Sequence, residues 1–471
     1  MTGAGEAQPV ALGTTRGRWL VAVTVLASGM AFLDATAVQV ALPSIGRELD
    51  SSLAGLQWTV TAYTLALASL ILLGGSLGDR YGRRRVFLIG VAWFAAASLL
   101  CGLAQDTGQL VTARAVQGVG GALLTPGSLA LIQSSFRPAD RARAIGLWSA
   151  LAGISGLVGP FLGGVLVDAA SWRLVFLINV PVAAVILTVS GRHVPESRSG
   201  GHHGRFDVPG ALLGALTLGG LTYALIAAAG DPVRPDVLAA TAVGLGAAAG
   251  FVVREKRAAD PMLPLRLFAD RQFTGANLAT FLVYGALGGF SFFLVLQLQN
   301  VLGYGATAAG AAMLPTSLLM TLFSPRAAAL AQRIGPRLPM TVGPLVVALG
   351  TLWLLGVDGS APYWVEVLPG SLLQGAGMTL TVAPLTATVL GAAPDTLVGI
   401  ASGVNNAVAR AASLLAVAAL PVAVGLSGDD YTHPAAFTGG FRAAMVVCAV
   451  LLAVGGLLSW RTIRADVLNG S

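Results

Sequence analysis

The stretch Gly75-Ser76-Leu77-Gly78-Asp79-Arg80-Tyr81-Gly82-Arg83-Arg84-Arg85 sets four arginines and one aspartate in a very short loop. About twenty apolar residues flank it on each side, the length an α-helix needs to cross a hydrocarbon core. The loop therefore joins two membrane-spanning helices and anchors both at one membrane face. Asp79, its only acid, stands one helical turn before Arg83 and can pair with it or reach a neighbouring helix end.

The same pattern recurs along the chain. Of 471 residues, 55% are hydrophobic and 10% charged, against about 25% charged in soluble domains. Most side chains must face lipid or other apolar helices. The net charge of +7 does not point to nucleic acid, because the basic residues recur in short loops rather than on one face or tail. Cys101 and Cys448 lie inside apolar segments and read as buried free thiols. The first apolar stretch is too long for a signal peptide, contains Asp34 and lacks a clear cleavage site, so it reads as the first span.

Fourteen helical cores follow, over 18–42, 55–77, 86–104, 109–133, 145–167, 172–190, 207–229, 235–254, 273–298, 308–330, 339–357, 364–390, 398–425 and 438–460. The seventh and eighth are rich in Ala and Gly and only weakly apolar. The loops on one side carry 22 Lys and Arg, and those on the other carry only Arg47, Arg173, Arg234 and Arg442. By the positive-inside rule both termini are expected in the cytoplasm. The polar segment 191–207 reads as a solvated linker, since the adjacent His202 and His203 lack further metal ligands. It and the two weak spans separate two six-helix blocks, giving expected units 1–190, 191–260 and 261–471.

Three charged or small-residue features sit at membrane depth. Asp34 lies mid-span, where a carboxylate costs about 3 kcal/mol or more unless it faces a cavity or a partner. Burial favours its neutral form, which suits proton loading and release, while a permanent structural pair with an arginine is the alternative. Arg114, Gln117, Gly118, Gly121 and Thr125 share one polar, small face of the fourth span. In the fifth span, Ser155, Gly159 and Gly163 form a stripe for close helix approach, and Pro160 bends the helix.

These segments resemble motifs of the major facilitator superfamily, and in particular of its fourteen-helix drug/proton antiporters. The loop Gly75-x-Leu77-x-Asp79-Arg80-x-Gly82-Arg83-Arg84 is similar to the family's loop after the second helix. Leu33-Asp34-Ala35-Thr36-Ala37-Val38-Gln39-Val40-Ala41-Leu42-Pro43 resembles its first-helix signature, with Ala37 and Gln39 replacing Val and Asn. Arg114-x-x-Gln117-Gly118-x-Gly120 resembles the fourth-helix motif. Gly146, Ser155, Gly159, Pro160, Gly163 and Gly164 resemble the fifth-helix motif associated with antiporters, Ser155 standing at a glycine position.

The resemblance implies an all-α membrane protein of the major facilitator fold, two six-helix bundles plus two extra central helices, rocking about a midplane site. It implies proton-coupled export of small amphipathic molecules, with Asp34 and Arg114 coupling protons. It further implies that Gly75, Asp79, Arg80, Gly82, Arg83 and Arg84 form a gating loop that holds the outward-facing state. An importer on the same scaffold and a non-transporting membrane sensor are the alternatives. No phosphate-binding Gly-rich loop or nucleophile–base constellation occurs, so ATP drive and enzymatic chemistry are not expected. No cofactor is expected beyond the proton gradient, and the expected partners are small molecules, protons and the bilayer, with the chain a monomer.

The second half is less explicit. Arg333-Ile334-Gly335-Pro336-Arg337 is a degraded copy of the loop, with Gln332 where the acid would stand. Gln39, Tyr63, Gln117, Asn405, Asn406 and Arg410 are the candidate cargo contacts, helix–helix hydrogen bonding being the alternative for Asn405, Asn406 and Arg410. Glu366 reads as interfacial, beside Tyr363 and Trp364. With Asp34 the only deep acid, a neutral, zwitterionic or monocationic cargo is expected.

Overall fold

The computed structural model describes residues 10–197, 207–258, 261–360, 362–394 and 397–465. Among them are fourteen helices long and apolar enough to cross a membrane. They are α1 (Thr15–Glu48), α2 (Leu53–Tyr81), α3 (Arg83–Leu103), α4 (Thr107–Ser135), α5 (Pro138–Ala169), α6 (Arg173–His193), α7 (Val208–Ala227), α8 (Pro235–Arg257), α9 (Arg271–Val301), α10 (Ala306–Ile334), α11 (Arg337–Gly356), α12 (Tyr363–Gly391), α13 (Val398–Ala423) and α14 (Pro434–Thr462). The helices satisfy their own backbone groups, as a hydrocarbon solvent demands. Side chains close several of their ends: Thr14, Ser52, Asp106, Asp207 and Asp270 each accept from a backbone N–H of the first turn. His202 and His203 lie outside the described residues.

Helices α1–α6 pack together, chiefly as α2 on α4, α3 on α4 and α1 on α5. Helices α9–α14 repeat the arrangement, with α11 on α12, α9 on α13 and α14, and α10 on α12. The halves meet along α2–α13 and α5–α10. The two weakly apolar helices pair closely, since a Cβ at Gly220 would lie 2.9 Å from the backbone of Gly244. Through α7 the pair leans on α2 and α13.

The core is unevenly shared between the two ends. At the end remote from the basic loops, one apolar cluster joins both halves through Ile45, Leu56, Phe176, Phe293 and Phe437. Toward the basic loops each half keeps its own cluster, one through Leu20, Phe87 and Ile132 and the other through Phe273, Met340 and Leu385. Hydrogen bonds follow the apolar contacts. At the far end Gln57 Nε2 donates to the Val417 carbonyl at 2.7 Å, Gln299 Nε2 to the Val40 carbonyl at 2.8 Å, and the Tyr431 hydroxyl to the Ser51 carbonyl at 2.6 Å. Nearer the basic loops α2 and α13 still touch, at Leu72 and Gly403. Between α5 and α10, however, the cleft widens: a Cβ at Gly146, Gly153 or Gly156 would meet nothing within 4 Å. The molecule is closed at the far end and opens toward the basic loops.

Candidate functional site

Asp34 sits at the middle of α1 and is fully buried. Arg114 on α4 donates to it from Nη1 at 2.5 Å, and the same nitrogen donates to Gln117 Oε1 at 2.6 Å. Gln117 Nε2 donates to Asp34 Oδ1 at 2.8 Å and to Ser98 Oγ at 2.8 Å. Asn179 Nδ2, from α6, reaches the same Oδ1 at 3.1 Å. Arg114 Nε is held by the Thr59 carbonyl at 3.1 Å, and its guanidinium lies over the Tyr63 ring at 4.4 Å from the centroid. Five helices thus converge on one ion pair. Such a pair survives burial because its hydrogen bonds are complete, and losing one partner typically costs about 3–5 kcal/mol.

Two members of this network, Ser98 and Asn179, were missed by sequence reasoning. Asn179 carried a legible signal, being the one amide in an apolar sixth span, just before Pro181. The helix breaks at Ile178, which lets Asn179 start a new helical segment beside Asp34. Ser98 gave no signal beyond being one small polar residue among many.

In front of the pair lies a cavity of about 420 Å³ between the two halves. Gln39, Tyr63, Arg114, Asn406 and Arg410 line it, together with Tyr284, which the sequence had not singled out. Gln117 and Asn405 are elsewhere. Gln117 is fully buried as a ligand of Asp34 rather than a cargo contact. Asn405 turns away to α9, donating to Thr280 Oγ1 at 2.7 Å and to Asn277 Oδ1 at 3.2 Å. For Gln117 this corrects the expectation, and for Asn405 it is the helix–helix alternative: a helical face names a direction but not the neighbour it meets. Arg114 belongs to both the pair and the cavity wall.

The fifth-helix motif makes two seams. Gly159 and Gly163 press α5 on α1, where a Cβ at Gly163 would lie 2.6 Å from Ala37 Cβ. Gly164 and Pro160 press it on α10: a Cβ at Gly164 would lie 2.6 Å from the Ala306 carbonyl carbon, and one at Gly310 2.6 Å from that of Pro160. Ser155 meets α1 at Gly29, while Gly146 stands at the open end with no neighbour within 4 Å. One further contact crosses this seam. Asp168, near the end of α5, accepts from Ala306 N at 3.1 Å and Thr307 N at 2.8 Å, capping α10 from the opposite half.

In the basic loop, Asp79 pairs with Arg83 at 2.7 Å, one of the two arrangements the spacing allowed. Glu196, unforeseen, accepts from the backbone N–H groups of Arg84 and Arg85 at 3.1 and 3.2 Å and so caps α3. Arg84 Nη2 donates to the Gly191 carbonyl at 3.1 Å. Gly82 has φ +110°, and a Cβ there would lie 2.8 Å from the Glu196 carboxylate. Gly82→Ala is therefore expected to cost about 1–3 kcal/mol, read as a lowered unfolding temperature of the purified protein in detergent. An unchanged temperature would remove the strain argument.

The second loop keeps the positive-φ glycine, Gly335 at φ +83°, while Arg333 and Arg337 form no ion pair with any described residue. Arg337 instead donates to the Trp460 carbonyl at 2.8 Å and lies over its ring at 3.9 Å. Glu366 stands in the first turn of α12 beside Tyr363 and Trp364. It is buried and accepts from Gly359 N at 3.2 Å and from Ser360 Oγ at 3.3 Å, closing the loop before α12.

Known proteins share this sequence and shape. The family model described as Major Facilitator Superfamily matches residues 24–417 and again 276–469. The chain is 37% identical over 454 residues to the methylenomycin A resistance protein of Streptomyces coelicolor, covering 94% of this chain and 92% of the relative. It is 36% identical to the puromycin resistance protein of Streptomyces alboniger, over 94% of this chain and 89% of the relative. It is 38% identical to the multidrug resistance protein Stp of Mycobacterium tuberculosis, over 84% of this chain and 75% of the relative. Among solved structures, a bacterial homolog of the human lysosomal transporter Spinster in an inward-facing conformation aligns with TM-score 0.66 at 17% identity, covering 96% of this chain and 97% of that one. A POT family transporter aligns with TM-score 0.71 at 14% identity, over 98% and 100%.

Proposed function

We infer what the chain does from the family it belongs to, the major facilitator superfamily: it exports small amphipathic molecules, drugs or natural products, across the cytoplasmic membrane. Protons moving inward supply the energy, with no other cofactor and no chemical change to the cargo. The relatives' names support drug efflux, and the 22-to-4 distribution of basic residues supports cytoplasmic termini. On that orientation the cavity opens to the cytoplasm. Residues 1–190 and 261–471 act as the two rocking halves of a monomer, and 191–260 supplies the linker and the two added helices.

The observation that carries proton coupling is the Asp34–Arg114 pair directly behind the cavity wall. In this inward-open state Arg114 pairs with Asp34 at 2.5 Å. Cargo entering the cavity meets the same guanidinium. When the halves rock outward and Arg114 withdraws, a buried carboxylate without its partner takes a proton from the exterior. Return to the inward state restores the pair and expels that proton to the cytoplasm. Each turn thus exchanges cargo for a proton.

Expression in an efflux-deficient bacterial host should raise the inhibitory concentration of at least one amphipathic antibiotic, and a protonophore should cancel the gain. No change across a broad antibiotic panel would contradict export. The Asp168 cap is assigned as a latch of the exterior closure. Asp168→Asn keeps the shape and removes the charge, so a loss of about 1 kcal/mol should shift the inward-to-outward ratio about fivefold. Distance measurements between spin labels across the far end would read that shift; an unaltered distribution would discard the latch.

A further inference from the structure

We infer that the cavity selects cargo bearing an anionic group, such as a carboxylate, on an apolar body, and that Arg410 is the residue that reads it. The inference rests on the export reading and names its substrate class.

Every element around the cavity contributes to the charge count. Helix α1 presents Gln39, α2 presents Tyr63 and Thr64, α4 presents Arg114, α9 presents Tyr284, and α13 presents Asn406, Arg410 and Ser413. No carboxylate stands among these described lining residues. Asp34 is not available to cargo: it is fully buried, and Arg114, Gln117 and Asn179 occupy its two oxygens. The charge of Arg114 is balanced by that pair. The charge of Arg410 is not. Its guanidinium forms no ion pair with any described residue, and its Nε is buried without a hydrogen-bond acceptor.

An unbalanced guanidinium at membrane depth is costly unless something supplies acceptors. A carboxylate is the matching group, because its two oxygens fit the planar fork of arginine. The tyrosines and amides on the same wall add neutral donors. Phe32, Phe292, Val60 and Val417 form the apolar part of the lining, and about 420 Å³ accommodates one small ligand. A monoanion brings the cavity to neutrality, whereas a monocation meets excess positive charge and no acid. A monocationic cargo, one of the classes the sequence allows, would need Asp34 as its acid, and the geometry withholds it. Export of an anion also runs with the inside-negative membrane potential.

The test uses one scaffold in three charge states: dansylglycine, its methyl ester, and N-dansylethylenediamine. Binding to the purified full chain in detergent is read by dansyl fluorescence, for the wild type, Arg410→Gln and Arg410→Lys, with the unfolding temperature of each recorded. The expected order is carboxylate above ester above amine. Arg410→Gln should lose about tenfold or more for the carboxylate alone, and Arg410→Lys should recover part of it. A preference for ester or amine, a carboxylate preference that survives in a folded Arg410→Gln protein, or no binding of any probe would overturn the inference. Antibiotic efflux from cells is scored separately, so export can stand while the charge assignment falls.

Discussion

Asp34→Asn should abolish proton-driven efflux in proteoliposomes, down to the leak seen without protein, while leaving membrane insertion intact. Asparagine keeps the size of the side chain and an oxygen that can accept from Arg114, but it cannot bind and release a proton. The pair loses its charge balance, at a cost of about 3–5 kcal/mol for a buried partner left alone. Arg114 still donates to Gln117 and to the Thr59 carbonyl and keeps its ring contacts, so the fold has means to hold it. Exchange of labelled for unlabelled cargo down equal concentrations should persist, because cavity access does not need the proton. Efflux at the wild-type rate under an imposed pH gradient would remove Asp34 from coupling.

Gly164→Leu should stop transport with the proton site untouched. Helix α5 meets α10 backbone to backbone at the far end, where the position of a Cβ on Gly164 lies 2.7 Å from Thr307 Cα. Neither partner is a flexible side chain that can swing away, so a leucine must push the helices apart. Overpacking of this kind typically costs about 1–3 kcal/mol or more, charged here to the state in which the exterior is closed. The carrier should then rest open outward. Ala309, fully buried near this seam, gives the readout: a cysteine placed there should be shielded from an impermeant maleimide in the otherwise native chain and labelled in the Gly164→Leu chain. Equal labelling with transport intact would show that the seam tolerates separation.

Much of this could be read before the fold was known, and the limit has a physical pattern. The loop at Asp79, the fourteen spans and the mid-span placement of Asp34 and Arg114 depend on local length, charge and periodicity, which a chain displays directly. What stayed hidden depends on which helix meets which. Asn179 reaches Asp34 across 145 positions, Glu196 caps a helix 112 positions earlier, and Asp168 caps one 138 positions later. Gln117 faced the correct side of α4, yet that side ends at Asp34 rather than in the cavity. Glu366 kept interfacial neighbours while its own carboxylate turned inward to a loop. The glycine stripe of α5 announced close packing, but not that it meets α1 while Pro160 and Gly164 beside it meet α10.

The central claim is that one ion pair, Asp34 with Arg114, exchanges a proton for each cargo passage. Its most direct measurement records cargo flux and lumenal pH together, in proteoliposomes with a pH-reporting dye inside and cargo added on one side without an imposed proton gradient. The account predicts that wild-type cargo flux drives protons in the opposite direction, and that the Asp34→Asn chain moves none. Cargo crossing in the wild type with no opposing proton movement, or opposing proton movement preserved in Asp34→Asn, would contradict it.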